Sequence, residues 1–82
     1  MVKYQVEHTD TFGGESNYSW VNRYEITPRG KTPKGERLSL VRQAKALTGL
    51  AGVRCGVTDY GDMIEIRPHG ICQIVFVSYI DA

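Results

Sequence analysis

Cationic side chains concentrate in one stretch of this sequence. Between Arg23 and Lys45 lie Arg23, Arg29, Lys31, Lys34, Arg37, Arg42 and Lys45, against only Glu25 and Glu36, for a local charge of +5. Elsewhere Lys3, Arg54 and Arg67 stand against Glu7, Asp10, Glu15, Asp59, Asp62, Glu65 and Asp81, a charge of −4, and the whole chain carries +1. Folding does not need such segregation, because exposed ion pairs contribute only about 0–1 kcal/mol each. A local field of one sign does steer an anionic partner and raise its on-rate. Arg29, Lys31, Lys34, Arg37, Arg42 and Lys45 are therefore the expected partner-binding residues, able to grip phosphates or an acidic protein surface.

Other reactive residue types lack the spacing that chemistry requires. Gly30-Lys31-Thr32 has the ending of a phosphate-binding loop, but Glu25 stands where that motif needs its first glycine. His8, His69, Cys55 and Cys72 show neither CxxC nor HxxxH spacing, so no metal site is expected. The two cysteines lie in apolar runs and are expected to be buried, reduced thiols. Asp59, Asp62 and Glu65 are read as turn and solvated-strand carboxylates, since calcium loops use a longer, regular ladder of ligands. No catalytic residue and no cofactor is expected.

The elements that carry these residues follow from periodicity. Val2 to Thr9 alternates apolar and polar residues, and Tyr18 to Thr27 does so again, as two half-buried strands do. Asp10 to Asn17 reads as a Gly-rich loop between them. Tyr4, Tyr18, Trp20 and Tyr24 have the composition of a base-stacking platform, but the polar side opposite them turns them inward, so Trp20 is expected in the core. Thr32-Pro33 has the form of a helix start, with Thr as N-cap and Pro in the first turn. Leu40, Ala44, Leu47 and Ala51 recur at helical spacing, and Gly49 and Gly52 are candidate stops. Lys34, Arg42 and Lys45 fall on a separate face, with Arg37 at its edge.

Three further strands are expected at Val53–Thr58, Met63–Arg67 and Ile71–Ile80, joined by turns at Asp59–Asp62 and Pro68–Gly70. The last strand is apolar on both faces. It is either central and covered on both sides or at an interface, a homodimer through residues 71–80 being one form of that. The reading is one α+β domain over residues 1–82, a curved antiparallel sheet of about five strands with one helix on one face, in the order ββαβββ. Nothing approaches the roughly 20 apolar residues of a membrane span. No apolar stretch follows Met1-Val2-Lys3-Tyr4-Gln5, so no secretory leader is expected and a cytoplasmic protein is.

The run Thr9-Asp10-Thr11-Phe12-Gly13-Gly14-Glu15-Ser16-Asn17-Tyr18-Ser19-Trp20-Val21 resembles an N-terminal signature of small proteins of phages, prophages and other mobile elements. Lys34-Gly35-Glu36-Arg37-Leu38-Ser39-Leu40-Val41-Arg42, with Ala44-Lys45, is similar to their middle. The resemblance implies a genomic setting and no activity. By analogy with that setting, the expected function is non-enzymatic: docking on a host protein or ribonucleoprotein complex, as an inhibitor of the anti-CRISPR kind. The alternative is a small nucleic-acid-binding module using the basic segment 29–45.

Overall fold

The computed structural model describes residues 2–80. Its elements run β1 (Lys3–Phe12), β2 (Glu15–Ile26), α1 (Pro33–Leu47), β3 (Cys55–Asp59), β4 (Met63–Pro68) and β5 (Gln73–Ile80). All neighbouring strands pair antiparallel, in the sheet order β2-β1-β5-β4-β3. The expected α+β architecture and element order are those observed, with the sheet open.

The core forms where alternation in three strands falls into register. Val6 pairs with Val77 and Val77 with Ile64; one step along, His8 pairs with Val75 and Val75 with Ile66. These side chains share one face of the sheet, and Leu40 and Ala44 of α1 pack against the apolar ones. β5 is thus the central strand. Both of its edges are taken by β1 and β4, so a dimer through residues 71–80 is left only the helix-free face of the sheet. On that face Thr9 and Ile74, paired across β1 and β5, are buried. Arg67 reaches from β4 to donate to the Gly14 carbonyl at 2.8 Å, tying the hairpin tip to the far side of β5.

Helix α1 begins and ends as its sequence directs. Thr32 is extended (φ −130°, ψ 156°), and its hydroxyl accepts from the Gly35 amide at 3.0 Å. This satisfies one of the amides that a helix start leaves unpaired. At the other end the Leu50 amide donates to the Lys45 carbonyl and the Gly49 amide to that of Ala46, a Schellman ending. Leu47 and Ala51 were expected on the buried stripe and are exposed. The chain reverses at Thr48–Gly49, and Leu50 takes the buried place instead.

The first hairpin differs most from expectation. Its strands do not stop at Asp10; they continue to a two-residue turn at Gly13-Gly14, with φ of 63° and 85°. Positive φ at both central residues is the type I′ geometry that matches strand twist, and glycine adopts it without steric cost. Strand β2 carries a large bulge instead. Thr9 pairs with Val21 but Thr11 with Ser16, so Asn17, Tyr18, Ser19 and Trp20 all stand against Asp10. Tyr18 has φ of 55°, a conformation that strains a residue with a side chain. Asp10 holds the bulge. Its carboxylate accepts from the Ser19 hydroxyl at 2.6 Å, the Asn17 side-chain amide at 3.0 Å and the Ser19 backbone amide at 3.0 Å. The Tyr18 hydroxyl is anchored separately, donating to Glu7 at 2.8 Å.

The bulge breaks the alternation along β2, and the aromatic residues divide accordingly. Tyr4 is buried and Tyr24 packs against the core, but Tyr18 is exposed. Trp20 is 38% exposed rather than buried, its indole edge-on to the His8 ring at 4.8 Å between centroids. The cysteines also depart from expectation. Cys72 lies in the turn before β5 and is exposed, and Cys55 is only partly buried at the start of the edge strand β3.

Two outcomes follow. Leu40→Ala should cost about 2–5 kcal/mol, the range for a buried Leu, and exceed Trp20→Ala in thermal melts; the intrinsic fluorescence of the folded protein should show a partly hydrated indole. Equal losses for the two variants would move Trp20 back into the core. The second concerns acid. Hydrogen bonds from Ser19, then Asn17, hold the Asp10 pKa down to about 2. A group whose pKa is depressed by folding adds stability above its unfolded value, about pH 4, and loses it as pH falls toward 2. In melts between pH 5 and pH 2, Asp10→Asn should show a shallower acid dependence than wild type. Parallel curves would remove Asp10 from this role.

Candidate partner-binding surface

The basic segment starts in the loop between β2 and α1, and the helix fixes that loop in place. The Ser39 hydroxyl accepts from the Arg29 amide at 2.8 Å and itself donates to the Glu36 carbonyl. Gln43 donates from its side-chain amide to the Thr27 carbonyl at 2.8 Å. Gly30 passes so close to the first helical turn that a Cβ there would lie 3.0 Å from the Glu36 nitrogen, and its φ of 138° favours glycine independently. Arg29 is therefore presented from a pinned backbone.

On the helix, Lys34, Leu38, Arg42 and Lys45 form one outward stripe, each three or four residues beyond the last. It faces away from the stripe of Leu40 and Ala44. Leu38, 56% exposed, stands between two open grooves. One, of about 510 Å³, is lined by Arg29, Leu38, Ser39, Arg42 and Gln43 among others. The second, of about 310 Å³, is lined by Leu38, Val41, Arg42, Lys45 and Ala51 among others. Lys31 and Lys34 are exposed at the helix start.

Ion pairing separates these cations from the rest. Among the described residues the salt bridges are Lys3–Glu25, Arg23–Glu7, Arg37–Asp59 and Arg67–Glu65. Arg29, Lys31, Lys34, Arg42 and Lys45 have no carboxylate partner among them. Arg54, also without one, sits apart from the helix, just before β3.

Arg37, expected with the binding residues, is engaged elsewhere. Its guanidinium donates to both carboxylate oxygens of Asp59, at 2.9 and 2.5 Å, to the Gly61 carbonyl at 2.8 Å and to the Tyr4 hydroxyl at 3.0 Å. It also lies over the Tyr4 ring, 5.7 Å from the centroid. One side chain thus joins α1 to β1 and to the β3–β4 turn. The same contacts lower the Asp59 pKa, chiefly through the Arg37 hydrogen bonds, and raise that of Arg37.

The remaining candidates are dispersed. The Cys55 thiol faces the Val53 carbonyl, and the His8 ring meets Gln73 through Nε2 at 2.9 Å. No three His, Cys, Asp or Glu side chains gather around a common point among the described residues. Sequence reasoning missed Leu38 as part of the surface. Its signal was present, since it lies four residues from both Lys34 and Arg42 on a stripe otherwise charged.

Arg37→Ala should lower stability by about 1–2 kcal/mol, the scale of charge-assisted hydrogen bonds reduced by solvent at the half-exposed Asp59. Arg42→Ala and Lys45→Ala should leave the melting temperature within error. Denaturant titration of the three variants checks this, and a stability loss for Arg42→Ala matching that of Arg37→Ala would place Arg42 in the structural set.

No helix among the described residues is long and apolar enough to cross a membrane. Comparison with known proteins found no matching family model, curated protein or solved structure.

Proposed function

We propose that this chain is a non-enzymatic binding protein of a phage or other mobile element, which docks in the host cytoplasm on an anionic surface of a host protein or ribonucleoprotein complex and inhibits it. The observation that carries the proposal is the set of cations along α1 and its leading loop with no carboxylate partner among the described residues, with the exposed Leu38 between them. Leaving charge unpaired costs the fold little, while a one-sign patch raises association rates with an anionic partner. An apolar side chain amid the cations favours a protein surface, because protein interfaces set apolar contacts inside a polar rim. The second reading, a nucleic-acid module, uses the same cations through phosphate contacts and has no need of Leu38.

The test compares wild type with Lys31/Arg42/Lys45→Glu and with Leu38→Asp, first in melts and then in capture from host lysate with and without nuclease treatment. Both variants should melt near wild type. The triple variant should lose the captured complex, most clearly at low salt, where the Debye length is long, and Leu38→Asp should lose it as well. Retention by both variants would mean that this face is merely solvated. Capture that disappears on nuclease treatment, together with unchanged binding of Leu38→Asp to generic RNA or DNA, would establish the nucleic-acid reading instead.

A further inference from the structure

The sheet has two outer strands, and they differ in how well they are guarded. β2 is interrupted by its four-residue bulge and by the strained Tyr18, and it carries the exposed charges of Arg23 and Glu25. Bulges break the row of outward backbone groups that another chain would pair with, and here the bulge rather than the charges sets β2 apart, since Arg23 and Glu25 are held by Glu7 and Lys3. β3, Cys-Gly-Val-Thr-Asp, pairs with β4 without a break in register. It holds no proline and no lysine, and its one charge, on Asp59, is already held by Arg37.

The ladder also shows which backbone groups of β3 are free. The His69 amide donates to the Arg54 carbonyl at 2.9 Å, and the Tyr60 amide to that of Met63 at 2.7 Å. Both pairs continue the register Cys55↔Pro68 through Asp59↔Ile64. Antiparallel pairs alternate between hydrogen-bonded and non-bonded residues. Arg54, Gly56, Thr58 and Tyr60 therefore turn their amides and carbonyls toward β4. Cys55, Val57 and Asp59 turn theirs away from the sheet.

We infer that β3 pairs antiparallel with β3 of a second copy of this chain, about a twofold axis at Val57, joining two sheets into one. The side chains that such a pairing brings together select this occupant and this axis, because centring on Val57 joins two exposed valines while centring on Asp59 would set two carboxylates against each other. The outward-turned residues are evenly spaced about Val57, so the axis sets Val57 against its own copy and Cys55 against Asp59. Every outward amide then meets an outward carbonyl, and the contact closes on itself as an isologous interface does. Val57, 48% exposed in the single chain, gains an apolar neighbour. Gly56 and Thr58 bring no charge to the other face, so no like charges oppose one another across the axis.

The oligomeric state tests this, by sedimentation or light scattering over a range of concentrations. Wild type should move from monomer to dimer as concentration rises. Val57→Pro removes an amide that the chain's own sheet does not use, so the fold should persist and the dimer should not. Thr58→Pro removes an amide that β4 does use and should unfold the sheet. Val57→Lys, which makes no demand on the backbone, should weaken dimerisation more than about tenfold by placing like charges on the axis. With Cys55 and Cys72 changed to Ser, Val57→Cys should give a disulfide-linked dimer on oxidation, since paired Cα atoms about 5.5 Å apart are within disulfide reach. A wild-type protein that stays monomeric at every concentration overturns the inference, and so does a dimer that survives both Val57→Pro and Val57→Lys.

Discussion

One helix has to close a five-stranded sheet, and most of the structure is a consequence of that shortage. α1 has 15 residues, so it is roughly 22 Å long and about 10 Å wide, while strands lie about 4.8 Å apart. It covers the middle of the sheet well and the corners poorly. Val6, Val75, Val77, Ile64 and Ile66, carried by the three central strands, are sealed beneath Leu40 and Ala44. Val57 on one outer strand stays partly in water although its ladder partner Ile66 is buried, and so does Trp20 in the bulge of the other. The central position of β5 answers the same need, because the most apolar strand takes the place with the most cover.

Where the helix cannot reach, polar groups keep order. The Arg37 guanidinium, bridging Asp59, Gly61 and Tyr4, fastens α1 to the sheet at the side of β3 and β4. At the opposite end Asp10 organises the bulge of β2, and Arg67 draws the hairpin tip across the helix-free face. Each uses an ionised side chain with several partners in fixed geometry, the arrangement in which hydrogen bonds are strongest. A chain of 82 residues has little burial to spare, and such clasps supplement a small core.

The fold makes use of only some of the cations. Arg23, Arg37, Arg67 and Lys3 each have a carboxylate partner, and together they bind strands, turns and helix to one another. The side chains of Arg29, Lys34, Arg42 and Lys45 have no carboxylate partner among the described residues and lie around a leucine on the outer side of the helix. A surface with that composition is suited to an acidic, partly apolar partner. The pinned loop at Arg29 holds part of it in place, which would reduce the entropy lost on association with the proposed partner.

The element order, the helix with its Thr32 cap, the alternating faces of β1 and β4 and the concentration of positive charge could all be read from the sequence alone. Each rests on local spacing: period two for strands, period 3.6 for the helix, and a cap that bonds within one turn. The true length of the first hairpin was encoded in Gly13-Gly14 but obscured by the polar residues around it. Two of them, Asn17 and Ser19, are donors to Asp10, a use that exists only once β1 and β2 have paired. Only the tertiary structure decided that Arg37 is tied to the sheet while Arg42 has no carboxylate partner among the described residues, because Asp59 and Tyr4, the partners of Arg37, are 22 and 33 residues away in the chain. Only it decided that Trp20 and Cys72 meet water, since burial depends on where one strand bulges and where another begins, and neither is a property of the residue itself.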